Sequence, residues 1–458
     1  MRLLLVAIVV VLMVGCTPTT ARPSGVWGPL ALRPGDSLSP ELLLLADGSV
    51  FVFGGSPTLS RYSVAGTDQI YDPTRNAWSD AAPIPEARLD PTVTLLKTGN
   101  VLVAGGVDVH ETPLRSAYLF DPKQNSWARV ADMNVARSAA SALRLDDGRV
   151  LVVGGAAGWT GSGGPAPASI AGAEVFDPST ASWSTAHPLP SGGVIKPSLL
   201  LLRGGEVLAA GGSSQNSSVN QAAIFNPADL TWTKIENLPQ PRTYAALEVA
   251  PSGQIVMMGG EAFAGDPNGG GFAVNPALDS ELFDLGSGTW TIGSPPTSGA
   301  ANNFVALFDA VAPLHDGRML LLGQVQNPSR PPSFLAFTYD PTADFWEAAG
   351  APPPFQGDPG VLTLRDGRVL ALAAQTAWIY DPTRTAPQAP GATGWLDSSE
   401  TTILLLGLGA VLALAIFLRR LRANRTALLC RTTGATVFIG SGITDRAALR
   451  NRTWPSLR

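Results

Sequence analysis

The chain has 458 residues, a formal net charge of −5 and a low charged fraction of 15%. Its 49 glycines and 39 prolines exceed the roughly 12% of average usage, as expected for many short strands joined by turns. No long amphipathic helix is visible, which argues against a helical repeat protein. The cysteines, Cys16 and Cys430, lie near the two ends, so a disulfide framework in the central part of the chain is excluded.

The N-terminus predicts export from the cytoplasm. Met1-Arg2 precedes an unbroken apolar run from Leu3 to Val14. This run is too short to span a bilayer comfortably and is typical of the hydrophobic region of a secretion signal. We therefore assign residues 1–16 to a signal peptide and residues 17–24 to a short linker.

The end of this apolar run predicts a lipid anchor as one of three alternatives. The sequence Leu12-Met13-Val14-Gly15-Cys16 resembles a bacterial lipoprotein signal, in which the cysteine becomes the lipidated first residue. Met13 departs from the usual leucine of that signal. Ordinary cleavage near Ala21 and an uncleaved anchor stay open, because short motifs of this kind produce false positives.

Two phrases then recur along the chain at a period of about fifty residues. The first is a turn, an apolar run and a glycine pair, as in Asp147 to Gly155. The second is an aromatic residue followed by Asp or Asn, with a tryptophan seven residues after the aromatic. Its six copies are Tyr71 with Trp78, Phe120 with Trp127, Phe176 with Trp183, Phe225 with Trp232, Phe283 with Trp290, and Tyr339 with Trp346. A fixed period with several short strands per unit predicts radially arranged sheets.

Each unit is interpreted as a four-stranded antiparallel sheet. In the third unit, Asp146-Asp147-Gly148 is a hairpin turn between the first two strands, because Asp-Gly between apolar runs is a strong hairpin signal. Pro178-Ser179-Thr180 is a second tight turn, between the third and fourth strands. We expect the tryptophan to cover the neighbouring sheet, because a lone sheet cannot bury both of its faces.

The paired phrases resemble the kelch repeat, which is found in kelch-type β-propellers and in the central domain of galactose oxidase. The glycine pairs of the first five units are Gly54-Gly55, Gly105-Gly106, Gly154-Gly155, Gly211-Gly212 and Gly259-Gly260. The last two units depart from the pattern, with Gly323-Gln324 and Ala373-Ala374. The resemblance implies an all-β propeller over residues 25–385.

The seventh unit has a turn at Asp366-Gly367 and a third strand ending in Tyr380-Asp381, but no tryptophan follows at the expected offset. Val26 to Leu30, which contains Trp27, has the pattern of an outer strand with no earlier unit to join. We therefore predict a seven-bladed propeller that is closed by this N-terminal strand, which removes exposed sheet edges.

Four arginines precede the first strands of their units at similar offsets: Arg33, Arg88, Arg137 and Arg242. The kelch resemblance implies that they lie near the mouth of the central channel, where a ring of guanidinium groups would hold carboxylates. The alternative is that they bridge adjacent blades through backbone carbonyls.

Two long loops are the other candidates for binding. Ala156 to Ala171 contains Trp159, and Glu261 to Ala277 contains two phenylalanines. Aromatic residues in such loops bind sugars or proteins because they bring a large contact area at a small entropic cost. Alternatively, Trp159 folds back onto the blade below it.

The sequence offers little for catalysis. Its three histidines, His110, His187 and His315, fall in different units without metal-binding spacing, so we predict no metal site, no cofactor and no catalytic residue. Galactose oxidase needs histidines and a tyrosine–cysteine link for its copper. Residues 25–385 contain no cysteine, which excludes that activity.

The C-terminus predicts a membrane anchor. After a linker at residues 386–400, residues 401–418 form an uncharged, leucine-rich stretch, just long enough for a transmembrane helix. Basic residues follow at once, as on a cytoplasmic flank. The tail at residues 419–458 holds nine arginines and one acid, a net charge of +8, which leaves −13 for the remainder. Its arginines are dispersed, so we expect membrane contact and no nucleic acid.

Together these features favour a cell-membrane protein with an extracytoplasmic propeller and a cytoplasmic tail. The favoured function is binding of protein or glycan through the membrane-distal loop face. One alternative is an enzyme or sugar-binding protein that acts on a small anionic sugar at the channel mouth. Another is the ectodomain of a signalling receptor.

Overall fold

The computed structural model describes residues 24–34, 40–54, 68–158, 167–215, 217–265, 272–276, 279–296, 304–327, 330–355, 357 and 359–384. Within these residues all regular structure is β-strand, arranged as eight four-stranded antiparallel sheets. Seven of the sheets follow the repeats and are numbered here as blades 1 to 7. The signal sequence, Cys16, Trp159, and the predicted transmembrane helix and tail lie outside the described residues.

The strands of blades 1 to 3 follow the predicted order from the first, innermost strand to the outermost. Blade 1 comprises β2 (Glu41–Leu44), β3 (Val50–Phe53), β4 (Gln69–Asp72) and β5 (Ala77–Asp80). Blade 2 comprises β6 (Thr92–Leu95), β7 (Val101–Ala104), β8 (Ala117–Asp121) and β9 (Ser126–Arg129). Blade 3 comprises β10 (Ser141–Arg144), β11 (Val150–Val153), β12 (Ala173–Asp177) and β13 (Ser182–Ala186).

Blades 4 to 6 repeat this order. Blade 4 comprises β14 (Ser198–Leu201), β15 (Val207–Ala210), β18 (Ala222–Asn226) and β19 (Thr231–Lys234). Blade 5 comprises β20 (Ala246–Val249), β21 (Ile255–Met258), β24 (Glu281–Asp284) and β25 (Thr289–Ile292). Blade 6 comprises β26 (Phe304–Pro313), β27 (Met319–Asn327), β28 (Arg330–Asp340) and β29 (Phe345–Ala348), of which the first three are much longer than elsewhere.

Blade 7 combines both ends of the repeat segment. It comprises β30 (Gly360–Thr363), β31 (Val369–Ala373), β32 (Thr376–Asp381) and, as its outer strand, β1 (Val26–Pro29). Trp27 pairs with Tyr380 in the antiparallel register. The predicted pairing of the N-terminal strand with the last unit is confirmed.

The eighth sheet joins the long loops of two blades. It comprises β16 (Ser213–Ser214), β17 (Ser217–Ser218), β22 (Glu261–Gly265) and β23 (Phe272–Pro276). The interpretation of Glu261 to Ala277 as a loop was therefore wrong for these strands. These strands were not predicted from the sequence because β22 pairs with β17, which belongs to a different repeat.

The hydrophobic core lies between neighbouring blades. The second strands of blades 1 to 5 and 7 are apolar, and every residue of β11 is buried, as expected for a strand covered on both faces. One buried cluster combines Leu102 of blade 2 with Val150 and Phe176 of blade 3. Each blade therefore needs its neighbour to bury its apolar surface.

The first strands of blades 1 to 7 lie side by side in chain order, and the first strand of blade 7 lies beside that of blade 1. In each blade the tryptophan ring packs on the aromatic residue of the third strand, with centroid distances of 4.7 to 5.1 Å. The tryptophan Nε1 also donates a hydrogen bond to a carbonyl that follows the preceding blade. The seven pairs are Trp27 to Ala349, Trp78 to Ala31, Trp127 to Ala82, Trp183 to Ala131, Trp232 to His187, Trp290 to Glu236 and Trp346 to Ser294.

The glycine pair lies where the link to the next blade passes close to the strand end. Gly106 donates its N–H to the carbonyl of Arg137, at 2.9 Å. Its φ is +94°, and a Cβ placed there would lie 2.6 Å from the carbonyl oxygen of Leu89. Both facts exclude a larger residue at this position.

Candidate functional site at the channel mouth

Three of the predicted site arginines are buried inside their own blades. Arg88, Arg137 and Arg242 have side chains that are 0%, 1% and 0% exposed. In each case Nη1 donates to the carbonyl of the first glycine of the pair, at 3.0, 2.7 and 3.2 Å. The arginine thereby holds the link at the start of its blade against the end of the second strand.

The guanidinium groups also have carboxylate partners within the molecule. Arg137 Nη2 lies 2.8 Å from Glu174, and Arg242 Nη2 lies 3.1 Å from Glu281. Arg88 pairs with Glu86 at 2.9 Å. Burial raises the pKa of Glu281 despite the nearby Arg242.

Arg33 is also buried, and its Nε donates to Gln69 at 2.6 Å. Arg88, Arg137 and Arg242 bind backbone carbonyls, as the alternative interpretation proposed, but these acceptors belong to the same blade and not to a neighbour. Arg33 instead binds the side chain of Gln69 in its own blade. A ligand role for the four arginines stays a prediction. The geometry does not favour it, because a ligand would have to displace these buried bonds.

A cavity of about 280 Å³ opens where the first strands of blades 1 to 5 begin. We call this cavity the channel mouth. Its lining includes Glu41, Pro91, Thr92, Ser141, Lys196, Pro197, Ser198 and Tyr244. The volume is near the lower end of the range for small-molecule sites. We call this side of the molecule, which carries the links between blades, the link face, and the opposite side the turn face.

Four blades place a residue in left-handed backbone conformation at the same position of the link, in or directly beside the lining of this mouth. The position lies two residues before the first strand of blades 2, 3, 4 and 5. The residues and their φ angles are Asp90 at 50°, Ala139 at 48°, Lys196 at 46° and Tyr244 at 57°. Residues other than glycine adopt this conformation at an energetic cost, and such strain is concentrated at functional sites.

Backbone hydrogen bonds connect three of these positions across the blades. Ala139 N–H donates to Asp90 O, and Lys196 N–H donates to Ala139 O, both at 3.0 Å. The Ser141 hydroxyl adds a bond of 2.6 Å to Pro197 O. The left-handed backbone therefore forms part of a rigid rim that holds the side chains of the mouth in place.

Lys196 joins the side chains of the site. Its Nζ lies 3.5 Å from Asp90 Oδ1 and 5.5 Å from the centroid of the Tyr244 ring. Ala139 lies between Asp90 and Lys196 along the rim, and its side chain is buried against Ala156 and Ile195. A cation between a carboxylate and an aromatic face offers a ligand ionic, hydrogen-bonding and stacking contacts.

Sequence reasoning missed this site, although a signal was present. Asp90, Ala139 and Tyr244 each follow a predicted site arginine by two residues, and Lys196 occupies the same place in blade 4. The spacing located the right segment of each link. It did not identify which residue of the segment lines the mouth, because residue spacing does not give the direction of a side chain.

Glu248 is a second unusual group near the axis. It is the third residue of β20 and pairs with Val256, which packs against blade 6. The corresponding residues of blades 2, 3 and 4 are Thr94, Leu143 and Leu200. Burial raises the pKa of Glu248 from 4.5 to about 7.

We expect replacement of Glu248 with glutamine to stabilise the protein at pH 8 and to have little effect at pH 4. The raised pKa means that the folded state keeps the proton between pH 4.5 and 7, whereas the unfolded state releases it. The free energy of unfolding of the native chain therefore falls by up to about 3 kcal/mol as the pH rises through this window. Denaturant titrations of both chains at pH 4 and pH 8 measure the difference. An equal difference at the two pH values would contradict the assignment.

Among the described residues, no group of three His, Cys, Asp or Glu side chains is arranged to hold a metal ion. The described part of the chain also contains no helix that is long and apolar enough to cross a membrane.

Comparison with known proteins identifies the repeats. The KLHDC2/KLHL20/DRC7 Kelch-repeats domain matches residues 42–260. This segment is a kelch-repeat domain. The solved structure of YjhT is similar to the chain with a TM-score of 0.52 and 15% sequence identity, and the match covers 70% of this chain and 99% of that chain. At this identity the likeness supports the fold alone. A search of the curated proteins found no match.

The match ends at residue 260, just after the fifth glycine pair, where the kelch pattern weakens. In blade 6 the second strand continues through Gly323-Gln324 to Asn327, so the strand extends where other kelch repeats turn. In blade 7 Ala374 adopts the left-handed conformation of the second glycine, with φ of 49°. The later blades thus keep the sheet order of the kelch repeats without their glycines.

Proposed function

We propose that this protein is a membrane-anchored, extracytoplasmic kelch propeller that binds a partner protein through its link face, with the channel mouth at the centre of the contact. Kelch domains commonly mediate protein binding. The observation that carries the proposal is the joined set of Asp90, Lys196 and Tyr244 on a strained rim around a cavity of about 280 Å³.

The proposal includes a closed ring of seven blades. The circuit of neighbouring first strands, the seven tryptophan hydrogen bonds and the pairing of β1 with β32 support it. A closed ring fixes the spacing of the link segments, so a partner meets a preorganised surface at a small entropic cost.

The anchoring part of the proposal rests on the ends of the sequence. Residues 1–16 supply the export signal, with Cys16 as the candidate lipidation site, and residues 401–418 supply the transmembrane helix. The link face is then the membrane-distal face. The alternative of an enzyme that acts on an anionic sugar gains no support from the buried arginines. The alternative of a signalling receptor rests on the basic tail at residues 419–458.

We expect ligands selected by the full chain from a displayed peptide library to bind at the channel mouth. Replacement of Tyr244 with leucine or of Lys196 with methionine should weaken the selected ligands at least tenfold, because each removes contacts at the centre of the site. Lys234→Met on an outer strand is the matched control and should leave affinity unchanged. Selected peptides that bind all chains equally would contradict the proposal, and enrichment only on a glycan array would replace protein with glycan as the ligand.

A further inference from the structure

Blade 5 carries an exposed apolar group on the turn face. Val249, the last residue of β20, is 38% exposed, and Leu285, which follows β24, is 49% exposed. Pro251 lies between them in sequence, in the turn that joins β20 to β21, and is also exposed. We call these three residues the blade 5 apolar tip.

The turns that carry this tip share one face of the molecule. We call the turn between strands one and two of a blade its first turn, and the turn between strands three and four its second turn. One cavity between blades 7 and 1 is lined by Asp47 from the first turn of blade 1 and by Asp72 and Pro73 from its second turn. In blade 5, Val249 and Pro251 belong to the first turn and Leu285 belongs to the second.

The corresponding turns of the other six blades are different. Each first turn contains a charged residue: Asp47, Lys97, Asp146, Arg203, Asp316 or Arg365. Each second turn has proline where blade 5 has Leu285: Pro73, Pro122, Pro178, Pro227, Pro341 or Pro382. Blade 5 therefore departs from the repeat at both turns, and both departures add apolar surface. Val249, Ile255 and Phe283 lie in one register row of the sheet, so Leu285, two residues after Phe283, lies at the same edge as Val249. Exposed apolar groups that share an edge in this way mark contact sites.

Both described ends of the repeat segment also lie on the turn face. Val26 begins β1 opposite Asp381, and Asp381 begins the second turn of blade 7. Beyond Arg384, sixteen residues precede the apolar segment 401–418. A chain of this length reaches roughly 50 Å when extended. The tether is therefore long enough to let any part of the turn face reach a lipid surface.

We infer that the blade 5 apolar tip inserts into the headgroup region of the bilayer that carries the protein. This inference rests on the membrane anchoring in the proposed function. Apolar side chains on an otherwise polar surface bind at the boundary of headgroups and acyl chains. The tip itself carries no cation, and Asp284 is its neighbour in sequence, so the surface suits zwitterionic and not anionic lipid.

The test uses the full chain in phosphatidylcholine vesicles that contain lipids with a nitroxide on the acyl chain. An environment-sensitive fluorophore is attached at Ser287→Cys, which keeps Leu285, in a chain with Cys430→Ser, and the signal from labelling at Cys16 is subtracted with the parent chain. Thr180→Cys, the equivalent exposed position of blade 3, is the matched control. We expect at least threefold stronger quenching at position 287 than at position 180.

The outcomes separate the two claims. A chain that incorporates into the vesicles but shows equal quenching at the two positions overturns the lipid contact and leaves the anchoring intact. A chain that does not stay with the vesicles on flotation overturns the anchoring, and the lipid contact with it.

Discussion

Replacement of Trp27 with alanine is expected to lower the free energy of unfolding by about 3–5 kcal/mol. Trp27 packs on Tyr380 at 5.1 Å and on Phe355 at 6.2 Å between ring centroids, and its Nε1 donates to Ala349 O at 3.1 Å. The residue therefore ties the N-terminal strand to blade 7 and blade 7 to blade 6. Loss of these contacts also weakens the cover on the edge of β32. Guanidinium titration followed by circular dichroism measures the change.

Trp27→Phe is the control for this variant. It keeps an aromatic ring against Tyr380 but removes the donor to Ala349, so the expected loss is about 1 kcal/mol. A Trp27→Ala chain within 1 kcal/mol of the native stability would mean that the N-terminal strand does not close the ring in solution.

Removal of either partner of the buried pair Arg137 and Glu174 is expected to cause the second large loss of stability. Each side chain is 1% exposed, and Nη2 and Oε1 lie 2.8 Å apart. Arg137→Val or Glu174→Ala leaves the other charge buried without its partner, and each should cost about 3–5 kcal/mol. Denaturant titration of the single variants measures both.

Blade 4 suggests the compensating pair. Val194 makes the same link hydrogen bond in blade 4 that Arg137 makes in blade 3, and Ala223 takes the register position of Glu174. Both lie in an apolar cluster. The double variant Arg137→Val with Glu174→Ala should therefore cost less than either single change. Glu174 also accepts hydrogen bonds from Asn134 and Val135, so some loss remains. If the double variant loses as much stability as the two single variants together, Arg137 and Glu174 do not depend on each other as proposed.

The architecture was predictable because large side chains at fixed spacing dictate it. The offset of seven residues from aromatic to tryptophan sets the pairing of the third and fourth strands, as in Phe120 opposite Trp127. The same pattern identified Trp27 as the missing outer-strand tryptophan, more than 300 residues from its partner Tyr380. Turn chemistry was equally local: Asp147 accepts a hydrogen bond from Arg149 N–H, as expected for an aspartate in a turn.

The site could not be predicted from the sequence, because it depends on the direction in which side chains point and not on the spacing of the residues. An arginine before the first strand can point into the channel or bend back to the glycine pair, and the sequence does not distinguish the two. The structure shows the second arrangement for Arg137, whose guanidinium binds Gly154 and Gly172. Lys196 and Tyr244 line the mouth from a left-handed backbone conformation, and in residues other than glycine the sequence does not indicate that conformation.

Prediction from the sequence was also limited at the strand pairing between repeats, and the predictions for the chain ends have not been tested. The eighth sheet joins Ser217 to Ala264 across two repeats, and no local pattern encodes that contact. The lipidation of Cys16, the binding role of Trp159 and the membrane helix at 401–418 lie outside the described residues and stay predictions.

The most direct test of the account is the ratio of affinities of one selected ligand for the Lys196→Met and Lys234→Met chains. Both changes remove one positive charge, but only Lys196 lies at the channel mouth, beside Asp90 and Tyr244. We predict that Lys196→Met weakens binding at least tenfold, about 1.4 kcal/mol, while Lys234→Met leaves it unchanged. Equal affinities of the two variants and the native chain would contradict binding at the channel mouth.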